Sequence, residues 1–266
     1  MRQSRQASET DRGSMTVESN VKPLALLIPG LDGTGRLFYR QIEALVRRYR
    51  VLAWDFGAGA DFDLASLVSD LGQATAAEPP GSILVVGESF GGPIAIAYVL
   101  RHPERVRRLI LVNTFPYYSR QLRLFLGIRL SGLLTLDLAR RIKDMIVDRI
   151  LADEGIPEED RLRYKEIVAT IDLESYRRRL ELLRQIDLRP RLPEIKVPAV
   201  LLAAGRDKIV PSVTEARYMA SQIPNARLVE FPEAGHALLL TPGTSLAAYD
   251  DLPLDIISRQ GPVSES

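Results

Sequence analysis

The chain has 266 residues, 46% hydrophobic and 26% charged, enough to bury one sizeable core with room for an insertion. Its 35 basic and 34 acidic residues leave a formal net charge of +1, which gives no global reason to expect nucleic acid or an acidic partner. The lack of cysteine excludes disulfides, thiolate metal sites and a cysteine nucleophile, and there are only two histidines, His102 and His236.

Residues 1–22 are polar and carry no apolar core of a secretory signal, so they read as a flexible tail. No run of about eighteen apolar residues predicts a membrane span, which makes the cytoplasm the default location. From residue 23 onward, short apolar runs recur: "LALLI" at 24–28, "VLAWD" at 51–55, "ILVVG" at 83–87 and "LILVN" at 109–113, then "AVLLAA" at 199–204 and "RLVEF" at 227–231. They are continuous rather than alternating, as expected of strands covered on both faces. Helical spacing fills 36–49, 64–77, 90–101 and 213–222 between them. Strand and helix in alternation predict an α/β fold with a mainly parallel sheet. The alternation breaks over 115–194, which has 16 basic and 14 acidic residues and helical patterning in 120–151 and 158–187. The expected organisation is therefore a core of 23–114 and 195–258 with a helical cap of 115–194.

The most informative stretch is "GESFGG", residues 87–92, set between a strand and a helix. It fits G-x-S-x-G, in which a serine on a sharp, strained turn projects its hydroxyl and small neighbours let strand and helix pass closely. Alone, the motif also suits a small residue filling a turn. A serine nucleophile needs a base, and histidine is the usual one. His102 lies thirteen residues beyond Ser89 on the same helix, roughly 20 Å away at the α-helical rise, and "RHPERV" reads as a helix end. Elimination leaves His236, in "EAGH" after the last strand. Asp207, in the loop after strand 199–204, would orient that base, in the chain order Ser, Asp, His. The Phe90 amide would lie at a helix N-terminus, where the dipole favours a developing oxyanion. "PGLDGTG" at 29–35 offers a second donor from Leu31 or Asp32. It lacks the Gly-Lys-Ser/Thr ending of a phosphate loop, and "FGAGAD" at 56–61 lacks the third glycine of a dinucleotide site.

Taken together, "PGLDGTG", "GESFGG", "GRDKIVP" and "EAGH" resemble the α/β-hydrolase fold superfamily in its capped serine esterase and lipase branch, over residues 23 to 240. The resemblance implies Ser89 as nucleophile, Asp207 as acid and His236 as base, with Phe90 and Leu31 forming the oxyanion hole. It implies no cofactor and no metal. Many members begin the oxyanion loop with His-Gly where this chain has Pro29-Gly30, and many precede the first parallel strand with an antiparallel hairpin that residues 1–22 hardly supply. A trimmed sheet of about six or more strands is the expectation.

The implied function is hydrolysis of carboxylic esters through an acyl-serine, with small apolar or acyl-chain esters as partners. Asp32, Phe115, Tyr117, Tyr118, Leu122, Phe125 and Leu238 are candidates for the pocket, and each is also explained by ordinary packing. The amphipathic stretch from 120 could touch a lipid surface transiently. Acyl transfer to an alcohol and non-catalytic binding of a small molecule are the alternatives. Glycerolipid acyltransferases often carry H-x-x-x-x-D, and here His102 is followed at that distance by Arg107. The oligomeric state is not legible.

Overall fold

The computed structural model describes residues 22–57, 63–118, 136–151 and 155–251. The six apolar runs form six strands: β1 (Leu24–Ile28), β2 (Arg50–Ala53), β3 (Ile83–Glu88), β4 (Val106–Val112), β5 (Ala199–Ala204) and β6 (Ala226–Phe231). All pair in parallel in the order β2-β1-β3-β4-β5-β6. β2 stops two residues short of its apolar run because the Asp55 carboxylate takes the Gly57 N–H at 2.8 Å, turning the chain. Around the sheet lie α1 (Tyr39–Val46), α2 (Leu64–Ala74), α3 (Gly91–Arg101) and, after β5, α7 (Ser212–Gln222).

Alternate residues of each buried strand serve opposite faces, so the core is two layers divided by the sheet. Leu26, Ile28, Val85, Leu109 and Leu201 pack with Leu71, Ile94 and Tyr98 of α2 and α3. Leu27, Leu84, Val86, Ile110 and Leu202 pack with Leu45 of α1 and with Leu246 and Tyr249 near the C-terminal end. The chain runs outward from β1 to β2, then returns past β1 to β3 and continues the other way. At that reversal, connections leave β1 and β3 in opposite directions and open a crevice at their C-terminal ends, where ligands of such sheets bind. Both the 29–35 loop and the Ser89 turn begin there.

Between β4 and β5 come three described helices, α4 (Leu136–Ile150), α5 (Glu158–Ala169) and α6 (Leu173–Leu183). The single helical stretch expected over 158–187 is broken at 170–172. There the Asp172 side chain accepts the Ser175 N–H at 2.8 Å and starts α6 afresh. The two ends of the segment meet in a bridge between Tyr117 and Asp187. Val147, Tyr164 and Val168 pack with Ala237 and Leu240, residues that directly follow His236. α5 is also tied to α1: Asp160 accepts from Tyr39 Oη and Arg40 Nε, each at 2.6 Å. Among the described residues no helix is long and apolar enough to cross a membrane.

Asp160 is buried, so its loss would remove the Tyr39 hydroxyl's acceptor and leave the part-exposed Arg40 with Glu159 alone. Asp160→Ala is expected to lower the unfolding free energy by about 3 kcal/mol, measurable by urea denaturation. Arg50→Ala, at a more exposed pair with Glu78, is expected to cost no more than about 1 kcal/mol.

Candidate active site

Ser89 closes β3 with a φ of 50°, in the left-handed region that few non-glycine residues enter. Strain of this kind costs on the order of 1–3 kcal/mol and persists only where the surroundings impose it. Here they do. The Ser89 N–H donates to Val112 O at 2.9 Å, and Ser89 O accepts from Gly92 N at 3.1 Å and from Thr114 Oγ1 at 2.5 Å. The glycines are required by neighbouring strands as well as by the turn's own helix. A Cβ on Gly91 would lie 2.2 Å from Ile28 O, and one on Gly92 1.9 Å from Thr114 Oγ1.

After β5, Asp207 sits at the start of a turn that feeds it donors. Its Oδ1 accepts from the Ile209 and Val210 amides at 2.8 and 2.9 Å, and its Oδ2 from Ser212 Oγ. That same Oδ2 lies 2.7 Å from Nδ1 of His236, which occupies the turn after β6. Burial works against the Asp207 charge, but the His236 charge and the donated hydrogen bonds outweigh it and hold the carboxyl below its ordinary range. Burial likewise opposes a charged imidazole, yet the charge and hydrogen bond of Asp207, helped by Glu88, raise His236 above its ordinary value. With Nδ1 held by the acid, Nε2 is the nitrogen left to take a proton.

Two of the three predicted residues are thus joined directly. Ser89, 8% exposed, is placed at the same end of the sheet, and among the described residues its hydroxyl makes no hydrogen bond to the imidazole. Serine–histidine contacts in unliganded enzymes are commonly long and tighten with substrate. The link between the strand ends is Asn113, which follows β4 and has a φ of 45°. Its Nδ2 donates to His236 O at 2.8 Å, and its Oδ1 accepts the Ala204 N–H at 2.8 Å. One side chain therefore fixes the histidine turn against the strand that carries the acid.

Phe90 is the residue on which α3 begins, and its ring is fully buried, edge-on to Phe56. Among the described residues neither its amide nor that of Leu31 is engaged by an acceptor. The loop bearing Leu31 is held from above by Arg179 of α6, whose Nη1 donates to Leu31 O at 2.7 Å and Asp32 O at 3.1 Å. Arg179 is 3% exposed, and Gly33, with φ 74°, is the only kind of residue that fits beneath it. His102 ends α3, its ring tilted against Tyr98, as its sequence setting predicts.

The family model described as "Alpha/beta hydrolase family" matches residues 25–248. The chain belongs to the alpha/beta hydrolase family. Among curated relatives of this hydrolase, a pimeloyl-[acyl-carrier protein] methyl ester esterase from Nitrosomonas europaea is 32% identical over 224 residues, covering 79% of this chain and 88% of that protein. RutD of Yersinia enterocolitica, named "putative carbamate hydrolase", is 28% identical over 228 residues, covering 81% of each chain. Among solved structures, a hydrolase from Pseudomonas aeruginosa PA01 superposes with a TM-score of 0.70 at 25% identity, covering 81% of this chain and 83% of that one.

The predicted pocket residues scatter. Asp32 lies buried in the loop above Ser89. Phe115 is a buried core residue, edge-on to the half-buried Tyr118. Tyr117 sits under the Arg189 guanidinium, 4.0 Å from its ring centre, at the base of the helical segment. Leu238 is fully buried in the core layer beside α1. Leu122 and Phe125 lie outside the described residues. Glu88, Tyr164 and Arg179 also lie around the site. Glu88 was visible in the sequence beside Ser89 in "GESFGG" and Asn113 as a polar residue ending an apolar strand, whereas Tyr164 and Arg179 had no local mark.

Asn113→Ala leaves a buried carbonyl and a buried amide without partners. It is expected to cost about 1–3 kcal/mol of stability in urea unfolding and to lower kcat by loosening His236.

Proposed function

We propose that this hydrolase cleaves carboxylic esters through an acyl-serine formed on Ser89. The observation that carries the reading is the His236–Asp207 hydrogen bond at 2.7 Å beside a serine held in the strained elbow. In the proposed mechanism, His236 Nε2 takes the Ser89 proton as Oγ attacks the ester carbonyl. Asp207 keeps Nδ1 protonated and stabilises the imidazolium that forms. Its own lone pairs are occupied by three donors, so it orients the ring without competing for the proton.

The amides of Phe90 and Leu31 bind the oxyanion, and the α3 dipole adds to the first of them. Collapse of the tetrahedral intermediate expels the alcohol, which takes its proton from His236. Water, activated by the same histidine, then releases the acid and restores the serine. The helices between β4 and β5 act as a cap. They contact the oxyanion loop through Arg179 and the histidine turn through the packing of Ala237 and Leu240. The activities for which the two relatives are named, on a methyl ester and a carbamate, support attack on a carbonyl bonded to oxygen.

Ser89→Ala is expected to lower kcat/KM for a p-nitrophenyl ester by about 10⁴-fold or more with the fold retained by circular dichroism; unchanged turnover would overturn the reading. The base must be neutral to act, so kcat/KM rises with pH, and the midpoint lies above the 6.5 of an ordinary imidazole because His236 is raised. Asp207→Asn removes the cause of that elevation. It is expected to move the limb to lower pH and to cut the plateau by about 10⁴-fold.

A further inference from the structure

Beside Ser89 stand two acids that the proposed hydrolysis does not use. A Cβ placed on Gly30 would lie 3.2 Å from a Glu88 carboxylate oxygen, 3.5 Å from Ser89 Cβ and 3.7 Å from Asp32 Oδ1, so all three border one small volume. Asp32 is 6% exposed. Its Oδ2 is tied to the Thr34 amide and hydroxyl, while its Oδ1 is buried with no hydrogen-bond partner among the described residues. Burial first, then the Asp32 charge, pushes Glu88 up to about 7, and burial also raises Asp32. The two carboxyls repel one another's charge in this volume, and Arg179 beside Asp32 and His236 beside Glu88 offset it.

The cations facing them are already engaged. His236 is paired with Asp207, and Arg179 gives its Nη1 to two backbone carbonyls while sharing its charge among Asp32, Asp55 and Asp172. Tyr164 of α5 packs with Ala237 and Leu240, and burial together with the Glu88 and Asp32 charges keeps its hydroxyl protonated. A primary ammonium has three N–H donors on one charged atom, matching the unpartnered Asp32 Oδ1 and a Glu88 oxygen.

We propose that Glu88 and Asp32 form a subsite for a protonated primary amine carried by the substrate a few bonds from the scissile carbonyl. The subsite deepens the esterase reading and rests on it for the position of the carbonyl. The preferred substrates are then small amino esters rather than plain acyl chains, and an ester with a carboxylate at that position is rejected.

The test compares β-alanine ethyl ester with its neutral isostere ethyl butanoate and with monoethyl succinate, and compares 2-aminoethyl butanoate with propyl butanoate to place the amine on the acyl or the alcohol side. At pH 7.5 one amino ester is expected to exceed its neutral partner in kcat/KM by about tenfold or more, with monoethyl succinate slowest. In Asp32→Asn and Glu88→Gln the cation-to-neutral ratio is expected to fall towards one, whatever the absolute rates. A ratio of one or below in the parent protein, or one unchanged in both variants, overturns the subsite. Calorimetric titration of Ser89→Ala with the same esters separates the two readings. If the parent hydrolyses none of them yet Ser89→Ala binds an amino ester more tightly than its isostere, the esterase reading fails and the subsite stands. Equal or absent binding there overturns the subsite.

Discussion

The left-handed backbone of Ser89 is the constraint from which the site is built. Two strand ends enforce it: Ser89 directly follows β3, Val112 of β4 takes its N–H, and Thr114 just beyond β4 donates its hydroxyl to its carbonyl. The Ile28 carbonyl at the end of β1 leaves no room for a side chain on Gly91. Because the strain of the turn is offset by these contacts, the hydroxyl is presented at the crevice where the strand order reverses. The first loop, the acid turn and the histidine turn all leave the same edge of the parallel sheet. The chemistry is thus located by topology before any catalytic side chain is considered.

Electrostatics then divides the acids into two kinds. Asp207 is surrounded by donors, which with the His236 charge hold its carboxyl below the ordinary range despite burial. Glu88 and Asp32 are deeper in consequence, if not in distance: burial outweighs the donors they have, and their carboxyls are pushed upward. The same family frame thus holds one carboxyl kept low by its donors and the His236 charge and two pushed up by burial. Arg179 connects this electrostatic arrangement to the helical segment, since one guanidinium braces the loop over Ser89 and faces Asp32.

Much of the core was legible because its strands are buried on both faces and so are continuous apolar runs. The Ser89 elbow was legible through its glycines, which the crowding of backbones makes obligatory. Asp207 and His236 could be singled out because there are only two histidines and His102 sits at the wrong end of α3. The helical segment was less readable. Its amphipathic periodicity gave helices, but the break at Asp172 depends on one side-chain cap, and Arg179 is one of three consecutive arginines with nothing local to mark it. Leu238 and Phe115 looked like pocket residues by their nearness in sequence to His236 and β4, and tertiary packing placed both in the core layers. Asn113 acts across strands, through His236 O and Ala204 N, and such a bridge has no sequence period.

The central claim is that Ser89 is the nucleophile activated by His236, and covalent labelling tests it most directly. On treatment with a fluorophosphonate and analysis by intact mass and peptide mapping, the protein should gain one adduct, on Ser89, at a rate that falls sharply in His236→Ala. No adduct, an adduct on another residue, or a rate indifferent to His236 would contradict it.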